Sequence, residues 1–142
     1  MRILVDTNVI LDVLLAREPH LRDSAAVMSR VESGDVAGWL CATTITTIFY
    51  LVAKAGSTNT AMAQVRKLLA LFEIAPVNRP VLETAITLGF ADFEDAVLHE
   101  AARQVDAKAI VSRNTSHFKN AELPVYTPAE LLEILDLQSA DL

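Results

Sequence analysis

The sequence predicts an α/β protein in which helices flank a small parallel sheet. Short apolar runs alternate with amphipathic segments along the chain, as in folds whose parallel strands are joined by helical crossovers. The first run, at 2–6, passes directly into a helical pattern at 8–16. The chain has 142 residues, of which 52% are hydrophobic, enough for one substantial core. We therefore expect one domain over residues 1–142.

The first half of the chain carries clear helix boundaries. A helix predicted at 21–33 stops at Gly34, because glycine often follows the last residue of a helix. Thr43 and Thr44 are predicted to cap a third helix, which Gly56 ends. The other elements predicted here are strand 2–6, helix 8–16, a break at 18–20, strand 36–41 and helix 59–72.

The second half begins with a helix that has Pro80 in its first turn and stops at Gly89. Asp92 opens the next helix, whose apolar spacing continues to about Val105. The run 127–130 combines a threonine cap, a proline at the first helical position and a glutamate three residues after the cap. The remaining predictions are strands at 73–77, 109–112 and 124–126 and a frayed tail at 138–142.

Charge and composition exclude several classes of protein. The net charge of -6 argues against a broad basic groove for nucleic acid. No apolar stretch approaches the ~20 residues that cross a bilayer, and no signal-peptide pattern is visible. The lone Cys41 fits a reducing compartment, so we expect a cytoplasmic protein. The candidate cations for contacts with a polyanion are Arg17, Lys54, Arg113 and Lys119.

Acidic residues occupy two positions that suit a metal site. Asp6 follows the first strand, at the edge where open α/β sheets bind ligands. Asp92 and Asp95 lie on one side of a helical turn, whereas Glu94 is expected to point elsewhere. Converging carboxylates suit Mg²⁺ or Mn²⁺. Their mutual repulsion would require a cation or a raised pKa.

Helix capping is the competing explanation for the same acids. Asp6 with Asn8 suits the start of the first helix, and the later pair suits the start of another. Asp12 is expected on the surface rather than in the pocket. His117 is expected in a surface loop, with a phosphate contact as the alternative. The histidines His20, His99 and His117 show no pairing typical of zinc. The possible nucleophiles Cys41, Ser57 and Ser112 have no evident His and Asp partners, which argues against a nucleophilic triad.

Five segments in this order resemble the PIN domain, a metal-dependent ribonuclease fold. The resemblance covers almost the whole chain. It implies a three-layer α/β/α fold that hydrolyses RNA with Mg²⁺ or Mn²⁺. It also implies a toxin restrained by an antitoxin protein, and a homodimer. The segments are 6–12 (DTNVILD), 43–51 (TTITTIFYL), 89–96 (GFADFEDA), 110–118 (IVSRNTSHF) and 123–130 (LPVYTPAE).

The resemblance implies roles for individual residues. The family's first acid corresponds to Asp6 and its later acid to Asp95, with Asp92 as a further metal ligand. Asn8 is the polar partner that follows the first acid. Of the neighbouring residues, we expect Arg113 to contact the RNA backbone.

Two positions depart from the family pattern. Thr47 stands where many active members have a glutamate on the third helix. Asn114 and His117 stand where many have a late aspartate. Thr47 and Asn114 can bind water, and Asn114 could orient the attacking water. A site with fewer charges holds Mg²⁺ more weakly.

Three functions therefore compete. The first is a metal-dependent endoribonuclease, the toxin half of a toxin–antitoxin pair. The second is a catalytically weakened module of the same fold that binds RNA or a protein. The third is a receiver-like domain phosphorylated on aspartate, which strand-terminal Asp6 suggests. However, the sequence offers no acceptor aspartate after Cys41 or Val77.

Overall fold

A computed structural model describes residues 1–140 and contains a five-stranded parallel sheet. The strands are β1 (Arg2–Val5), β2 (Ala37–Cys41), β3 (Glu73–Ala75), β4 (Ala109–Val111) and β5 (Val125–Tyr126). Their order in the sheet is β3-β2-β1-β4-β5, so β1 lies in the centre and pairs with β2 and β4. Asp6 extends the pairing, because its backbone N–H donates to Val111 O at 2.8 Å. The first residues after β1 and β4 therefore meet at one edge of the sheet.

Seven α-helices and one short 3₁₀ turn, Thr115–Phe118, connect the strands within residues 1–140. The Glu130 backbone N–H donates a hydrogen bond to Thr127 Oγ1, and the Thr127 backbone N–H donates one to Glu130 Oε1. These two hydrogen bonds confirm the predicted capping box. The helices are α1 (Thr7–Leu14), α2 (Leu21–Glu32), α3 (Ala42–Ala55), α4 (Thr58–Leu71), α5 (Arg79–Thr87), α6 (Phe93–Gln104) and α7 (Pro128–Ala140).

Two predicted helix ends are wrong. Thr43 and Thr44 lie inside the first turn of α3, because the extended backbone of Cys41 (φ -68°, ψ 142°) lets the helix begin directly after β2. Helix α7 continues to Ala140, so the predicted fraying does not occur at 138–140. Residues 141–142 of that predicted tail lie outside the described residues.

Alternating side chains of the strands fill two cores, one on each face of the sheet. Ile3 and Val5 point into the core formed with α1, α2, α3, α4 and α7. Leu4 and Ile110 point into the opposite core, formed with α5 and α6. The predicted three-layer α/β/α architecture is confirmed. Within residues 1–140, no helix is both long enough and apolar enough to span a bilayer.

Gly38 marks the closest approach between β2 and the helices that cover it. A Cβ atom at this position would lie 2.7 Å from Val31 Cγ1 and 2.8 Å from the Phe72 ring. Both of these side chains are buried in the larger core. The absence of a side chain at Gly38 therefore allows α2 and the end of α4 to pack onto the sheet.

Gly38→Ala should lower the free energy of unfolding by about 1–3 kcal/mol, because the added methyl group overpacks this contact. Urea unfolding followed by circular dichroism measures the effect. Ala37→Ser, at the exposed neighbouring position of the same strand, is the control and should change stability little. Equal stability of Gly38→Ala and wild type would contradict the packing described.

Candidate metal-binding site

Asp6 is both a helix cap and a preorganised carboxylate. Its backbone is extended, and its Oδ1 accepts from the Thr7 N–H at 2.7 Å. Oδ2 accepts from Ser112 Oγ at 2.7 Å and from Asn8 Nδ2 at 3.3 Å. Asp6 is only 7% exposed. These hydrogen bonds fix its orientation at the carboxyl edge of β1, so capping and a role in the site are compatible.

The two acids of α6 have different surroundings. Asp92 is the exposed N-cap and accepts from the Glu94 N–H at 2.8 Å. The side chain of Asp95 is 15% exposed. Its Oδ2 is buried and accepts no hydrogen bond from any residue of 1–140. The closest basic atom is His117 Nδ1, at 3.5 Å.

The structure brings the three predicted acids to one cleft of about 240 Å³. Asn8, Asn114 and His117 also contribute to its wall. The prediction that Glu94 points elsewhere is wrong, because it too lines this cleft. The complete lining is Asp6, Thr7, Asn8, Leu11, Asp92, Glu94, Asp95, Leu98, Asn114 and His117.

The concentration of acids in the cleft changes their titration. Burial, followed by the charges of Asp6 and Asp92, raises the pKa of Asp95 to about 6. Burial also raises the pKa of Asp6, against the hydrogen bond from Ser112, which lowers it. Raised pKa values show that the ionised carboxylates are poorly stabilised by the protein alone.

The donor set fits a hydrated hard cation rather than one enclosed by protein ligands. No group of three His, Cys, Asp or Glu side chains in residues 1–140 is placed to hold one metal ion. Mg²⁺ often uses one or two carboxylates and retains several waters. Asp6 and Asp95 can supply those carboxylates, and Asp95 suits this role because its Oδ2 accepts no hydrogen bond from any described residue. Asp92 is placed to accept hydrogen bonds from the waters of such an ion.

Two residues predicted for the site do not line the cleft. The Thr47 hydroxyl donates to Thr43 O within α3, at 3.1 Å. The Arg113 guanidinium is bound by Asp12. Only the backbone of Arg113 reaches the site, where its N–H donates to Asn8 Oδ1 at 3.3 Å.

The expectation that Asp12 lies on the surface is wrong. Asp12 is fully buried, and its two carboxylate oxygens accept from Arg113 Nε at 2.7 Å and Nη2 at 3.1 Å. Ser24 Oγ also donates to Asp12 Oδ2, at 3.5 Å. This bidentate ion pair ties α1 to the segment after β4. It also balances the Arg113 charge within the protein, although this side chain remains 25% exposed.

Two hydroxyl contacts near Asp6 were not predicted from the sequence. Ser112 was considered only as a nucleophile, although it is the first polar residue after a strand that neighbours β1. Thr7 Oγ1 and Thr44 Oγ1 lie 2.8 Å apart and connect α1 to α3. The position of Ser112 directly after its strand could have indicated its contact with Asp6. No feature of the sequence indicates the long-range contact of Thr44.

Comparisons with known proteins agree with this architecture. A family model described as PIN domain matches residues 2–116. Ribonuclease VapC1 of Aquifex aeolicus (strain VF5) is 26% identical over 137 residues, which are 93% of this chain and 94% of that protein.

Two solved structures share the fold. FitAcB from Neisseria gonorrhoeae has 24% identity and a TM-score of 0.68, covering 89% of this chain and 98% of its own. A toxin–antitoxin complex from Klebsiella pneumoniae has 21% identity and a TM-score of 0.67, covering 88% of this chain and 96% of its own.

Asp12→Asn should lower the free energy of unfolding by about 3 kcal/mol, because it leaves the partly buried Arg113 charge unpaired. Chemical denaturation measures this loss. The matched control is Glu83→Gln, which breaks the exposed Arg79–Glu83 pair and should cost under ~1 kcal/mol. Similar losses in the two variants would contradict a structural role for the buried pair.

Asp95→Asn should stabilise the metal-free protein by about 1–2 kcal/mol at neutral pH, because it removes a poorly stabilised charge. The folded-state pKa is raised from 3.8 to about 6, so stability present at low pH is lost as the pH rises through this range. The stabilisation of the variant should therefore develop between pH 3.8 and about 6. Unfolding measured in EDTA across this range tests it, and a pH-independent difference would contradict the assignment.

Proposed function

The chain belongs to the PIN domain family, and we propose that it is an endoribonuclease that hydrolyses RNA phosphodiester bonds with Mg²⁺ or Mn²⁺. One observation carries the proposal: Asp95, whose buried Oδ2 accepts no hydrogen bond from any described residue, lines the same cleft as Asp6. Such a pair of carboxylates has unfavourable electrostatics without a cation. The name of the relative, Ribonuclease VapC1, supports RNA as the substrate.

Asp6 and Asp95 would hold the cation, with Asp92 contacting its water shell. When bound, the cation supplies a water of lowered pKa and neutralises charge on the phosphate. Ser112 and Thr7 restrain the Asp6 carboxylate through the hydrogen bonds described above. This restraint lets Asp6 keep one orientation while substrate binds and product leaves.

The uncharged and basic residues of the cleft would orient the reactants. Asn8 donates a hydrogen bond to Asp6 and accepts one from the Arg113 backbone N–H. These two hydrogen bonds restrain the distance between α1 and the segment after β4. Asn114 lies at the cleft wall, where its amide can orient the attacking water or a phosphate oxygen. His117, beside Asp95, can donate to a phosphate oxygen once the cation occupies that carboxylate.

We also propose that this nuclease is a toxin, that an antitoxin protein restrains it and that it forms a homodimer. The structural neighbour from Klebsiella pneumoniae, a toxin–antitoxin complex, supports the proposal of an antitoxin partner. The surface has apolar side chains available for such contacts. Tyr50 on α3, Leu69 on α4 and Ile86 on α5 are 63%, 51% and 72% exposed.

A binding module without strong catalysis is the second candidate. Thr47 and Asn114 bring no charge to the positions of two family acids, and no three-acid ligand group exists in the described part of the chain. Such a module would bind RNA or a protein and hold metal weakly. Membership of the PIN family leaves the receiver-like alternative without support.

Asp6→Asn and Asp95→Asn should each lower Mn²⁺-dependent cleavage of single-stranded RNA by at least ~100-fold, because each removes a charged ligand. Cleavage is measured on gels with labelled RNA, and folding is checked by thermal unfolding. Asp106→Asn is the matched control, since Asp106 is exposed, lies outside the cleft and has a positive φ that asparagine accepts.

The two candidate functions give different results with the wild-type protein. Cleavage that requires Mn²⁺ and disappears in both cleft variants supports the nuclease. Retained cleavage in both variants contradicts the metal-site assignment. Weak Mn²⁺ binding by calorimetry, together with intact RNA, favours the binding module.

A further inference from the structure

A second cavity, of about 430 Å³, adjoins the acid cleft. We call it the flanking pocket. It lies between the turn that precedes α6 and the 3₁₀ turn after β4. Asp92 and His117 line both spaces, so a ligand that extends out of the acid cleft can enter the flanking pocket directly. Its volume lies within the ~300–1,000 Å³ typical of small-ligand pockets.

The flanking pocket contains an available positive charge. The charge of Arg113 is already paired with Asp12, whereas a second cation nearby is not paired. Lys119 lines the flanking pocket, is exposed and forms no salt bridge with any described residue. In a chain of net charge -6, this ammonium group is a well-placed partner for a phosphate beside the acids.

The flanking pocket also presents an anchored aromatic ring. Phe90 is half-buried and forms a T-shaped contact with the buried ring of Phe118, with centroids 6.0 Å apart. Its centroid lies 5.4 Å from that of the buried His99 ring. A partly exposed aromatic ring that lines a pocket and is packed against other rings is a surface on which a nucleobase can stack.

The two walls of the flanking pocket are tied together. Asn120 Nδ2 donates to Gly89 O at 2.8 Å, which joins the 3₁₀ segment to the turn that carries Phe90. Gly89 has a φ of +72°, a conformation that favours glycine. The pocket is thus built by a specific loop geometry, and Ser116 adds a hydroxyl that can bond to a base edge.

We propose that the flanking pocket binds the nucleotide of single-stranded RNA next to the scissile phosphate. Lys119 contacts the phosphate of that nucleotide, and its base stacks on Phe90. Duplex RNA does not fit this arrangement, because its bases are already stacked and paired. The inference rests on the proposed function, since it names the part of the substrate bound beside the same site.

Lys119→Gln and Phe90→Leu test the proposal, with Lys108→Gln as control. Lys108 is likewise an exposed lysine without a salt bridge among residues 1–140, but it precedes β4 at the opposite edge of the sheet. Binding of a labelled short single-stranded RNA is measured by fluorescence anisotropy, with Ca²⁺ replacing Mn²⁺. Cleavage of the same RNA is measured separately with Mn²⁺.

Lys119→Gln should raise Kd and KM about threefold to tenfold and leave kcat nearly unchanged. It should also reduce the slope of log Kd against log salt concentration by about 0.7, the value for one lost contact with a single strand. Phe90→Leu should raise Kd about fivefold or more while preserving the salt slope. Lys108→Gln should match wild type in every measurement.

The outcomes separate this proposal from the proposed function. Wild-type cleavage with unchanged KM, Kd and salt slope in Lys119→Gln overturns the flanking pocket and leaves the nuclease standing. RNA binding that depends on Lys119 without any cleavage supports the pocket and overturns the nuclease. If Phe90→Leu lowers Tm, the exposed Lys119→Gln variant decides the result alone.

Discussion

The parallel pairing of β1 with β4 is the contact on which the candidate site depends. The register places Ile3 opposite Ala109 and Val5 opposite Val111, and the Asp6 N–H continues it. Asp6 and Ser112 are thereby brought within hydrogen-bonding distance although 106 positions separate them. A shift of this pairing by one residue would turn each β1 side chain toward the opposite core. The alternation of side chains that builds both cores therefore also fixes the position of the Asp6 carboxylate.

The other half of the site depends on the packing of α6. Small buried residues, Ala96, Ala101 and Ala102, let this helix approach the sheet closely. Its first turn then carries Asp95 toward Asp6. Burial, followed by the charges of Asp6 and Asp92, raises the pKa of Asp95, so ionisation of this carboxylate opposes folding. The apolar cores on the two faces of the sheet compensate for this local instability. Such instability is typical of functional sites.

Sequence reasoning succeeded where the signal was local. Asp6 directly follows an apolar run, and Asp92 directly precedes a helical pattern, so both positions could be placed before the fold was known. Asp12 could not be placed in this way. Its neighbours on α1 do not reveal that Arg113, 101 positions later, supplies the neutralising charge. The start of α3 was misplaced because two threonines suggested a cap, whereas the conformation of Cys41 determines where the helix begins.

The contrast between Asp12 and Asp95 bears on how an acidic protein could bind the polyanion that we propose as its substrate. Both carboxylates are largely buried, but Arg113 donates two hydrogen bonds to Asp12, whereas Asp95 Oδ2 accepts none from any described residue. The arginine therefore contributes to the scaffold by compensating a buried carboxylate. In the proposed nuclease, attraction of a phosphate would depend on a cation at the cleft acids and on few basic side chains around them. Few phosphate contacts would give a weak dependence of affinity on salt, so base stacking and the shape of the cleft would contribute much of the selectivity.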